Sequence, residues 1–426
     1  MQKKIQNIKG MVDILPSQSS LWQWVEHQVE ALFASFGYQE IRLPIAEKTE
    51  LFVRGIGEVT DIVEKEMYTF ADRNDDLMTL RPEGTAPCVR ACQQHALTDN
   101  GQQQRLWYQG PMFRYERPQK GRQRQFHQVG VEAFNLDGAS SDAEIILMSY
   151  QLWRRLGIDQ LVTLEINSMG NLSDRNRFKQ ALVSYLTPLK DNLDLDSQKR
   201  LDTNPLRILD SKDSQTQALL ESAPKIRDYL SDESAAHFAL LLELLEITGI
   251  PYVLNDKLVR GFDYYNDTVF EWTTTYLGAQ AAICGGGRYD QLVSQLGGKS
   301  TPAVGFALGM ERLLLLLSEQ RAGSIPHFSV DCYFAIACEG QDYLKAFAIA
   351  HHIRAQFPQL KMITHSGGGS LKSQLKKADK SHATYCLIIG SNEIHDNTIV
   401  LKPLRTDQAQ QTVPLNELNT ILEKLI

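Results

Sequence analysis

Hydrophobic residues recur at helical spacing in the first long segment of the chain, WQWVEHQVEALFASFGY, and the helical pattern ends at Gly37. This spacing predicts an amphipathic helix with a glycine as its C-terminal stop. EIRLPI follows and predicts a strand, in which Pro44 favours a sheet edge because proline cannot donate to a ladder. Further along, LWYQGPMFRYE and QRQFHQVGVEAF predict two strands joined by RPQKGR, a basic turn with Pro118 and Gly121. These two strands predict a long β-hairpin.

The pattern changes after this hairpin. From about 168 to 250 the sequence is polar, has helical periodicity and carries no cluster of reactive residues, which predicts an inserted helical module. Glycine-rich, strand-like segments then return, and the last of them, TPAVGFALG, leads into the apolar helix MERLLLLL. Residues 318–329 have the composition of a linker, beyond which short apolar runs alternate with helical patterns. The sequence thus predicts an α+β domain over 1–325, interrupted by the helical module, and a separate α/β domain over 328–426.

The amino-acid composition is that of an ordinary globular protein. Of its 426 residues 43% are hydrophobic and 22% are charged, and the formal net charge is -7. A nucleic-acid partner would therefore have to bind local basic patches and not a uniformly positive body. No segment has the pattern of a secretory signal or a membrane span, so we expect a cytoplasmic protein that does not contact membranes.

The six cysteines are scattered at low density, which favours free thiols over a disulfide framework. Cys88, Cys92 and His95 fall on one face of a predicted helix and could form half of a zinc site. No second pair of ligands follows them, so helix packing is the favoured interpretation. We therefore assign no metal ligand from the sequence.

The candidate chemistry lies in the hairpin, whose second strand would place alternate residues on one face. These residues are Arg122, Arg124, Phe126, Gln128, Gly130 and Glu132. A solvated sheet face would also be polar, but here the charge changes from basic to acidic around an aromatic ring. Guanidinium groups bind phosphates in a fork and an aromatic ring stacks on a base, so the face indicates a nucleotide site.

Two common nucleotide sites are excluded by spacing. No GxxxxGK[ST] occurs, and SGGGSLKS at 366–373 has a leucine where that loop needs a glycine before its lysine. GFALGM lacks the GxGxxG spacing of a dinucleotide fold. The arginines must therefore belong to another kind of nucleotide site.

Six segments resemble the histidyl-tRNA synthetases of the bacterial type, a family of class II aminoacyl-tRNA synthetases, and they span nearly the whole chain. They are LRPEGTA at 80–86, FRYERPQKGRQRQFHQ at 113–128, LVRGFDYY at 258–265, GGGRYD at 285–290, GFALGMERL at 305–313 and HSGGGSLKSQLKKADK at 365–380. The arginine hairpin and GMER are typical of the class, whereas LVRGFDYY and GGGRYD are typical of the histidine enzymes.

The resemblance implies a class II catalytic domain with an antiparallel sheet of six or seven strands, a helical insertion, and a C-terminal α/β domain that binds the anticodon. It also implies ATP-dependent ligation of L-histidine to tRNA(His) through a histidyl-adenylate, with release of AMP and diphosphate. ATP and Mg²⁺ would be required. The Pro44 region resembles the segment that forms the class II dimer interface, so a homodimer is expected.

The same resemblance assigns the ATP site. Arg114 would contact the α-phosphate and Arg122 the outer phosphates, while Arg260 would act on the reacting phosphate and carboxylate, where it supplies a fixed positive charge beside magnesium. Adenine would lie between Phe126 and Arg312, with Glu116 near its amine.

Histidine would be selected by buried polar groups, because such a site penalises any analogue that leaves its partners unpaired. By resemblance, Glu83, Thr85 and Gln128 would hold the α-amino group, and Glu132, Tyr264 and Tyr265 would receive the imidazole. Without the neighbouring motif, core packing would be the safer interpretation of the two tyrosines.

Four lysines near the C-terminus would bind tRNA phosphates, although a charged helix face is usually only solvated. They are Lys372, Lys376, Lys377 and Lys380.

Two alternative functions compete with that of a synthetase: the histidine-sensing regulatory subunit of ATP phosphoribosyltransferase, and an RNA-binding protein with a decayed site. The presence of Arg114, Arg260, Arg312 and the C-terminal domain argues against the first, and the acidic pair Glu83 and Glu132 argues against the second.

Overall fold

The structure, a computed structural model, describes residues 4–57, 60–262, 264–278, 282–320 and 329–423. The chain divides into two compact units, Met1–Ile325 and Pro326–Ile426. Most of the linker expected at 318–329 lies outside the described residues. No helix in the described ranges is long and apolar enough to cross a membrane.

The first unit is built from a large sheet, a small sheet and helices. Its strands are β1 Gln39–Glu40, β2 Ala46–Lys48, β3 Tyr68–Ala71, β4 Leu77–Leu80, β5 Gln104–Phe113, β6 Gln125–Phe134, β7 Thr163–Ser168, β8 Tyr252–Leu254, β9 Asn266–Thr273, β10 Ala282–Arg288 and β11 Ala303–Gly309. Its α-helices are α1 Pro16–Ser35, α2 Thr49–Ile56, α3 Thr85–Gln94, α4 Ala139–Leu156, α5 Leu172–Leu186, α6 Leu195–Thr203, α7 Ser214–Leu220, α8 Asp232–Ile247, α9 Leu292–Gln295 and α10 Met310–Gln320.

The large sheet has the strand order β1-β5-β6-β11-β10-β9-β7-β8. Its six central strands are antiparallel, and two short strands, β1 and β8, extend it in parallel at the edges. The predicted strand EIRLPI is wrong beyond Glu40. Its carbonyls at Leu43 and Pro44 accept hydrogen bonds from the guanidinium of Arg81, at 2.9 and 3.4 Å, so a side chain takes the place of a ladder partner.

One face of the large sheet packs on α1, α4, α8 and α10. The odd-numbered β6 residues Val129, Val131 and Ala133 join this core with apolar side chains from all four helices. Because strand residues alternate, the even-numbered β6 residues lie on the opposite face. That face is only partly covered, by α3 and the helices α5 to α7.

The helices α5 to α8 form the inserted module between β7 and β8. Each begins after a residue whose side chain accepts a backbone N–H of the first turn, namely Asn171, Asp194, Asp213 and Ser231. These four caps satisfy N–H groups that have no partner within the helix. The local sequence therefore fixes where each helix of the module starts.

A buried ion-pair network fastens the module to the sheet. Asp142 of α4 is fully buried and accepts hydrogen bonds from Arg288 of β10 at 2.6 Å, from His237 of α8 at 2.8 Å and from Thr268 of β9 at 2.5 Å. Burial opposes ionisation of Asp142, yet His237 and Arg288 together hold its pKa below the usual range. The network joins three parts of the unit through one carboxylate.

The second unit is a five-stranded sheet of order β13-β12-β14-β15-β16 with helices around it. Its elements are β12 Cys332–Ala337, α11 Gly340–Gln356, β13 Met362–Thr364, α12 Leu371–Lys380, β14 Tyr385–Gly390, α13 Ser391–Asp396, β15 Thr398–Pro403, β16 Gln411–Pro414 and α14 Leu418–Glu423. The first three strands are parallel, as the sequence pattern predicts, but β15 and β16 are antiparallel. The segment between β14 and β15 is too short for the crossover that a parallel return requires.

Candidate active site

The exposed part of the large sheet holds a cavity of about 330 Å³. All twelve residues that the sequence assigns to catalysis, ATP and histidine line it: Glu83, Thr85, Arg114, Glu116, Arg122, Phe126, Gln128, Glu132, Arg260, Tyr264, Tyr265 and Arg312. They come from positions spread over more than two hundred residues of the chain. The fold therefore brings together every one of these side chains.

Glu132 is the most enclosed carboxylate of the cavity, with 1% of its surface exposed. It accepts hydrogen bonds from the hydroxyls of Thr85 at 2.8 Å and Tyr108 at 2.9 Å, and from the hydroxyl of Tyr289. Burial raises the pKa of Glu132 to about 8 even though these three donors oppose the shift. The site thus holds a carboxylate that can change charge near neutral pH.

Glu83 lies just before the N-terminus of α3. Its carboxylate accepts the backbone N–H groups of Thr85 at 2.6 Å and Ala86 at 2.9 Å. Burial raises the pKa of Glu83 in spite of these bonds. The helix N-terminus, which favours negative charge, fixes this second carboxylate close to Thr85 and therefore to Glu132.

Aromatic rings form the wall next to Glu132. The ring centroids of Phe262 and Tyr264 are 5.2 Å apart, and those of Tyr264 and Tyr265 are 4.7 Å apart. Tyr264 also meets Tyr289 edge to face at 5.7 Å. The buried Tyr264 hydroxyl and the Gln128 carboxamide oxygen have no hydrogen-bond partner among the described residues. Such groups are costly to bury unless a ligand completes them.

Arg260 provides a buried positive charge beside these rings. It forms an ion pair with Glu271 of β9, and its guanidinium carbon lies 5.6 Å from the centre of the Tyr265 ring. Burial alone would lower the pKa of Arg260, but Glu271 reverses the effect and raises it. Gly285 makes room for this arrangement, since a Cβ there would lie 2.6 Å from a guanidinium nitrogen of Arg260.

The hairpin supplies the other cations. Arg114 donates to the Pro82 carbonyl at 2.9 Å and its guanidinium lies 5.2 Å from the Phe126 ring centre. Arg122 forms an ion pair with Glu116, whose side chain is 7% exposed. From the start of α10, Arg312 donates to the carbonyls of Gly121 at 3.2 Å and Ala282 at 2.6 Å.

Two details of the hairpin differ from the sequence interpretation. The second strand begins at Gln125, so Arg122 reaches the cavity from the turn and Arg124 turns away to stack on Tyr115 at 3.8 Å. Gly130 does not leave space for a ligand, because a Cβ there would lie 2.2 Å from the Tyr108 ring. It makes room instead for a tyrosine that hydrogen-bonds Glu132.

Sequence reasoning missed several polar residues of the cavity and its surroundings, among them Tyr108, Tyr289, Glu66 and Glu271. Tyr289 stands in the quoted GGGRYD, and Tyr108 shares a strand face with Leu106, so alternation on β5 could have indicated it. Glu271 lies in the ordinary strand pattern VFEWT, which carries no signal of its pairing with Arg260.

The four lysines assigned to tRNA belong to α12 of the second unit. Lys372, Lys376, Lys377 and Lys380 are all exposed, while Gln374 and Ala378 face the core. Ser370 caps the helix by accepting the N–H of Ser373 at 3.4 Å. The helix therefore presents a basic face to solvent.

No group of three His, Cys, Asp or Glu side chains suited to a metal ion occurs in the described ranges. Cys88 and Cys92 are buried within α3, where the sequence allowed half of a zinc site. All six cysteines are free.

Comparison with known proteins identifies the two units. A family model described as histidyl-tRNA synthetase matches residues 10–313, and an anticodon binding domain model matches residues 340–425. A histidine–tRNA ligase from a Marinomonas species is 56% identical over 413 residues, which cover 96% of each chain. Among solved structures, apo histidyl-tRNA synthetase of S. aureus is 36% identical, with a TM-score of 0.81 and coverage of 98% of this chain and 99% of that one.

A structure from Bacillus halodurans described as an ATP phosphoribosyltransferase regulatory subunit or histidyl-tRNA synthetase shares the fold. It is 23% identical, with a TM-score of 0.65, and the alignment covers 92% of this chain and 99% of that one. An identity of 23% is evidence of the fold alone. Evidence of the family comes from the two family matches and from the 56% identity over 96% of the chain. On these grounds, the chain belongs to the histidyl-tRNA synthetase family.

Proposed function

We propose that this protein ligates L-histidine to tRNA(His) with ATP, through a histidyl-adenylate, and releases AMP and diphosphate. The observation that carries the proposal is the single cavity in which arginines and buried carboxylates converge. Arginines suit the phosphates of ATP, and the enclosed Glu132 suits a nitrogen-rich side chain. An RNA-binding protein without chemistry would have no need of such a cavity.

Histidine would bind at the carboxylate end. Its imidazole would hydrogen-bond Glu132 and the Tyr264 hydroxyl, with Tyr265 in the same wall, and its α-amino group would meet Glu83, Thr85 and Gln128. The unpartnered oxygens of Gln128 and Tyr264 support this assignment because an amino group and a ring nitrogen would satisfy them. An amino acid with an apolar side chain would leave these groups unpaired, which is the basis of selectivity.

ATP would occupy the arginine end. Arg114 would hold the α-phosphate, Arg122 the outer phosphates, and Phe126 and Arg312 the two faces of adenine, with Glu116 near its amine. In the structure Arg114 lies over Phe126, and the ion pair of Arg122 with Glu116 holds both side chains at the cavity. Binding of adenine would therefore require Arg114 to move from the ring toward the phosphate.

The chemical step is attack of a histidine carboxylate oxygen on the α-phosphorus, with cleavage of the bond to the departing diphosphate. The attacking carboxylate is already ionised, so no general base is needed, and alignment and charge neutralisation carry the rate. Arg260 and Arg114 would stabilise the negative charge that spreads over the phosphate oxygens. Glu271 supports this role because its ion pair fixes the Arg260 guanidinium before substrate arrives.

We also propose that Mg²⁺ accompanies ATP. Glu271 lines the cavity and keeps 24% of its side chain exposed, so it suits a hard cation whose other ligands are phosphate oxygens. Bound magnesium supplies further positive charge to those oxygens. Glu271 would then hold the metal and orient Arg260 at once.

In the second unit, Lys372, Lys376, Lys377 and Lys380 would contact tRNA phosphates. Their exposure on one helix supports this, and phosphate contacts would fix tRNA without reading its bases. The match to an anticodon binding domain over residues 340–425 gives the unit a related role.

We further propose that the protein is a homodimer and works in the cytoplasm. A cleft of about 540 Å³ at Pro44, Leu51 and Leu296, whose other lining side chains are charged or amides, offers the first unit a surface for a second copy, with exposed Ile45 next to Pro44. Six free cysteines suit a reducing compartment. Light scattering at micromolar concentration, giving twice the chain mass of 48.1 kDa, would support the dimer.

Histidine-dependent exchange of labelled pyrophosphate into ATP, measured without tRNA, tests the proposed function. The purified protein should catalyse exchange with histidine and not with other amino acids. A regulatory subunit would bind histidine without exchange, and an RNA-binding protein would do neither. Absence of exchange would therefore refute the proposal.

A further inference from the structure

The inserted module contributes one cation to the cavity that the family motifs do not include. Arg207 stands in a short 3-10 turn, Pro205–Asp210, between α6 and α7, and it lines the same cavity as Arg114 and Arg122. A Cβ built on Gly261 would lie 3.7 Å from its Nη1 atom. The guanidinium therefore reaches the backbone next to Arg260.

Arg207 differs from the other cavity arginines in the contacts of its guanidinium among the described residues. Arg122 is paired with Glu116, Arg260 with Glu271, and Arg114 donates to a carbonyl. In the part of the chain that the structure describes, the guanidinium of Arg207 forms no hydrogen bond or ion pair. Only its backbone is bonded: the carbonyl accepts from Arg200 at 3.5 Å and the N–H donates to the carbonyl of Asn204 at 3.0 Å. A half-buried cation without a partner is available to an anionic ligand.

The turn that carries Arg207 is held in place from both sides. Pro205, Ile208 and Leu209 are buried, and the latter two belong to the core beneath the open face of the sheet. Arg200 bridges from the carbonyl of Arg207 to the carboxylate of Asp61, which also lines the cavity, at 3.6 Å. The position of Arg207 is thus fixed by the fold and not by its own side-chain contacts.

Glu66 lines the same cavity as Arg114, Arg122 and Arg207. Burial raises the pKa of this carboxylate, and the positive charges of the three arginines oppose the shift. Two of them come from the hairpin and one comes from the insertion. A polyphosphate, with several negative charges in a row, matches three separate cations better than a single carboxylate does.

We propose that Arg207 binds the β- and γ-phosphates of ATP and remains on the diphosphate as it leaves, so that the insertion forms part of the activating site. The inference rests on the proposed histidine-activating function. A phosphate of the tRNA 3′ end is the other anion that could reach this position. Arg207 lines one cavity with the hairpin arginines Arg114 and Arg122, which favours ATP.

The test uses the full chain with Arg207→Ala in histidine-dependent pyrophosphate exchange without tRNA. Loss of one charge-assisted contact should raise the KM for ATP and for pyrophosphate about tenfold or more. The KM for histidine and inhibition by AMP, which lacks the outer phosphates, should not change. Arg207→Lys should give an intermediate KM because it keeps the charge and loses the fork.

Lys199→Ala is the matched control, since Lys199 is exposed on α6 of the same module and its loss removes the same charge. It should leave every constant at the wild-type value. An unchanged KM for ATP in Arg207→Ala would overturn the inference, and so would a defect confined to tRNA charging, which would assign Arg207 to RNA. If Arg207→Ala does not fold, the same KM values measured for Arg207→Gln test the inference. Failure of wild-type exchange would instead refute the proposed function.

Discussion

Arg260 is the residue on which the proposed chemical step depends most. Its guanidinium is fixed by Glu271 and the Tyr265 ring before any substrate binds. We expect Arg260→Ala to slow adenylate formation by about a hundredfold or more, because a preorganised charge contact of this kind contributes about 3 kcal/mol to the transition state. Pyrophosphate exchange at saturating substrates measures this rate. The KM for ATP should change little, and exchange at the wild-type rate would contradict the assigned role.

Glu132 should control the affinity for histidine. Glu132→Gln keeps the size of the side chain, removes its capacity to ionise, and replaces one oxygen by an NH2 donor that faces hydroxyl groups which also donate. We expect the KM for histidine to rise at least tenfold while the KM for ATP stays within about twofold, since only the amino acid contacts this carboxylate. Exchange kinetics with each substrate varied in turn measure both constants. Equal increases in the two would show that Glu132 acts on the whole cavity.

The same carboxylate should make stability depend on pH. Its pKa is about 8 in the folded protein and near 4.5 when exposed, so the folded state retains a proton that the unfolded state releases. Stability is therefore full below about pH 4.5 and falls as pH rises to about 8, by up to roughly 1.4 kcal/mol per unit. Urea unfolding of ligand-free wild type and Glu132→Gln from pH 5 to 8.5 should show a steeper fall in the wild type. Parallel profiles would mean that Glu132 is ionised throughout.

Single residues of the site could be predicted where they stand in a family motif, but the residues that hydrogen-bond or pair with them could not. The sequence indicates Glu132 and Arg260, whereas Tyr108 and Glu271 enter only through the fold. Both lie in strands whose local pattern is that of any half-buried strand. Pairing across a sheet joins residues that are far apart in sequence, and periodicity within one strand does not specify its neighbour.

At the scale of elements, the buried network around Asp142 holds the inserted module on the large sheet. Asp142→Ala would leave Arg288 with two acidic neighbours, Asp290 at 3.1 Å and Asp137 at 4.0 Å, in a site where its side chain is 2% exposed. We expect a loss of about 3 to 5 kcal/mol in the free energy of unfolding, as is usual when one partner of a buried pair is removed. Urea unfolding at pH 7, followed by circular dichroism, measures this change.

Asp202→Ala provides the matched comparison for that network. Asp202 is 71% exposed and pairs with Lys190 at 2.9 Å on the surface of the same module. Its removal should cost less than about 1 kcal/mol because solvent screens exposed pairs. If both variants lost the same stability, burial of Asp142 would not explain its effect.

The elements themselves were predicted best where periodicity is long. The first helix, the hairpin and the inserted helices follow from local spacing and from caps such as Asn171. The strand at EIRLPI was wrong because Arg81, nearly forty residues away, takes the carbonyls that a ladder would need. Strand β15 is antiparallel to β14 because the connection between them is too short to cross the sheet. The pattern of hydrophobic runs does not indicate this direction.

At the scale of the whole molecule, the two units keep separate cores, and the proposed reaction divides between them. The cavity lies entirely in the first unit, and the basic face of α12 lies in the second. Histidine activation would therefore need only the first unit, whereas charging of tRNA would need both.

Charge reversal on α12 tests this division. We expect Lys372→Glu combined with Lys376→Glu to weaken tRNA charging about tenfold or more and to leave tRNA-independent pyrophosphate exchange unchanged, because phosphate contacts on α12 serve RNA alone. The wild-type KM for tRNA should rise steeply with salt, and the double variant should show a smaller slope because fewer counterions are released. Lys345→Glu, on the exposed surface of α11 in the same unit, shows the effect of one charge reversal outside α12 and should leave charging nearly unchanged. Charging that survives in the double variant, with the slope of the wild type, would mean that α12 faces solvent in the tRNA complex.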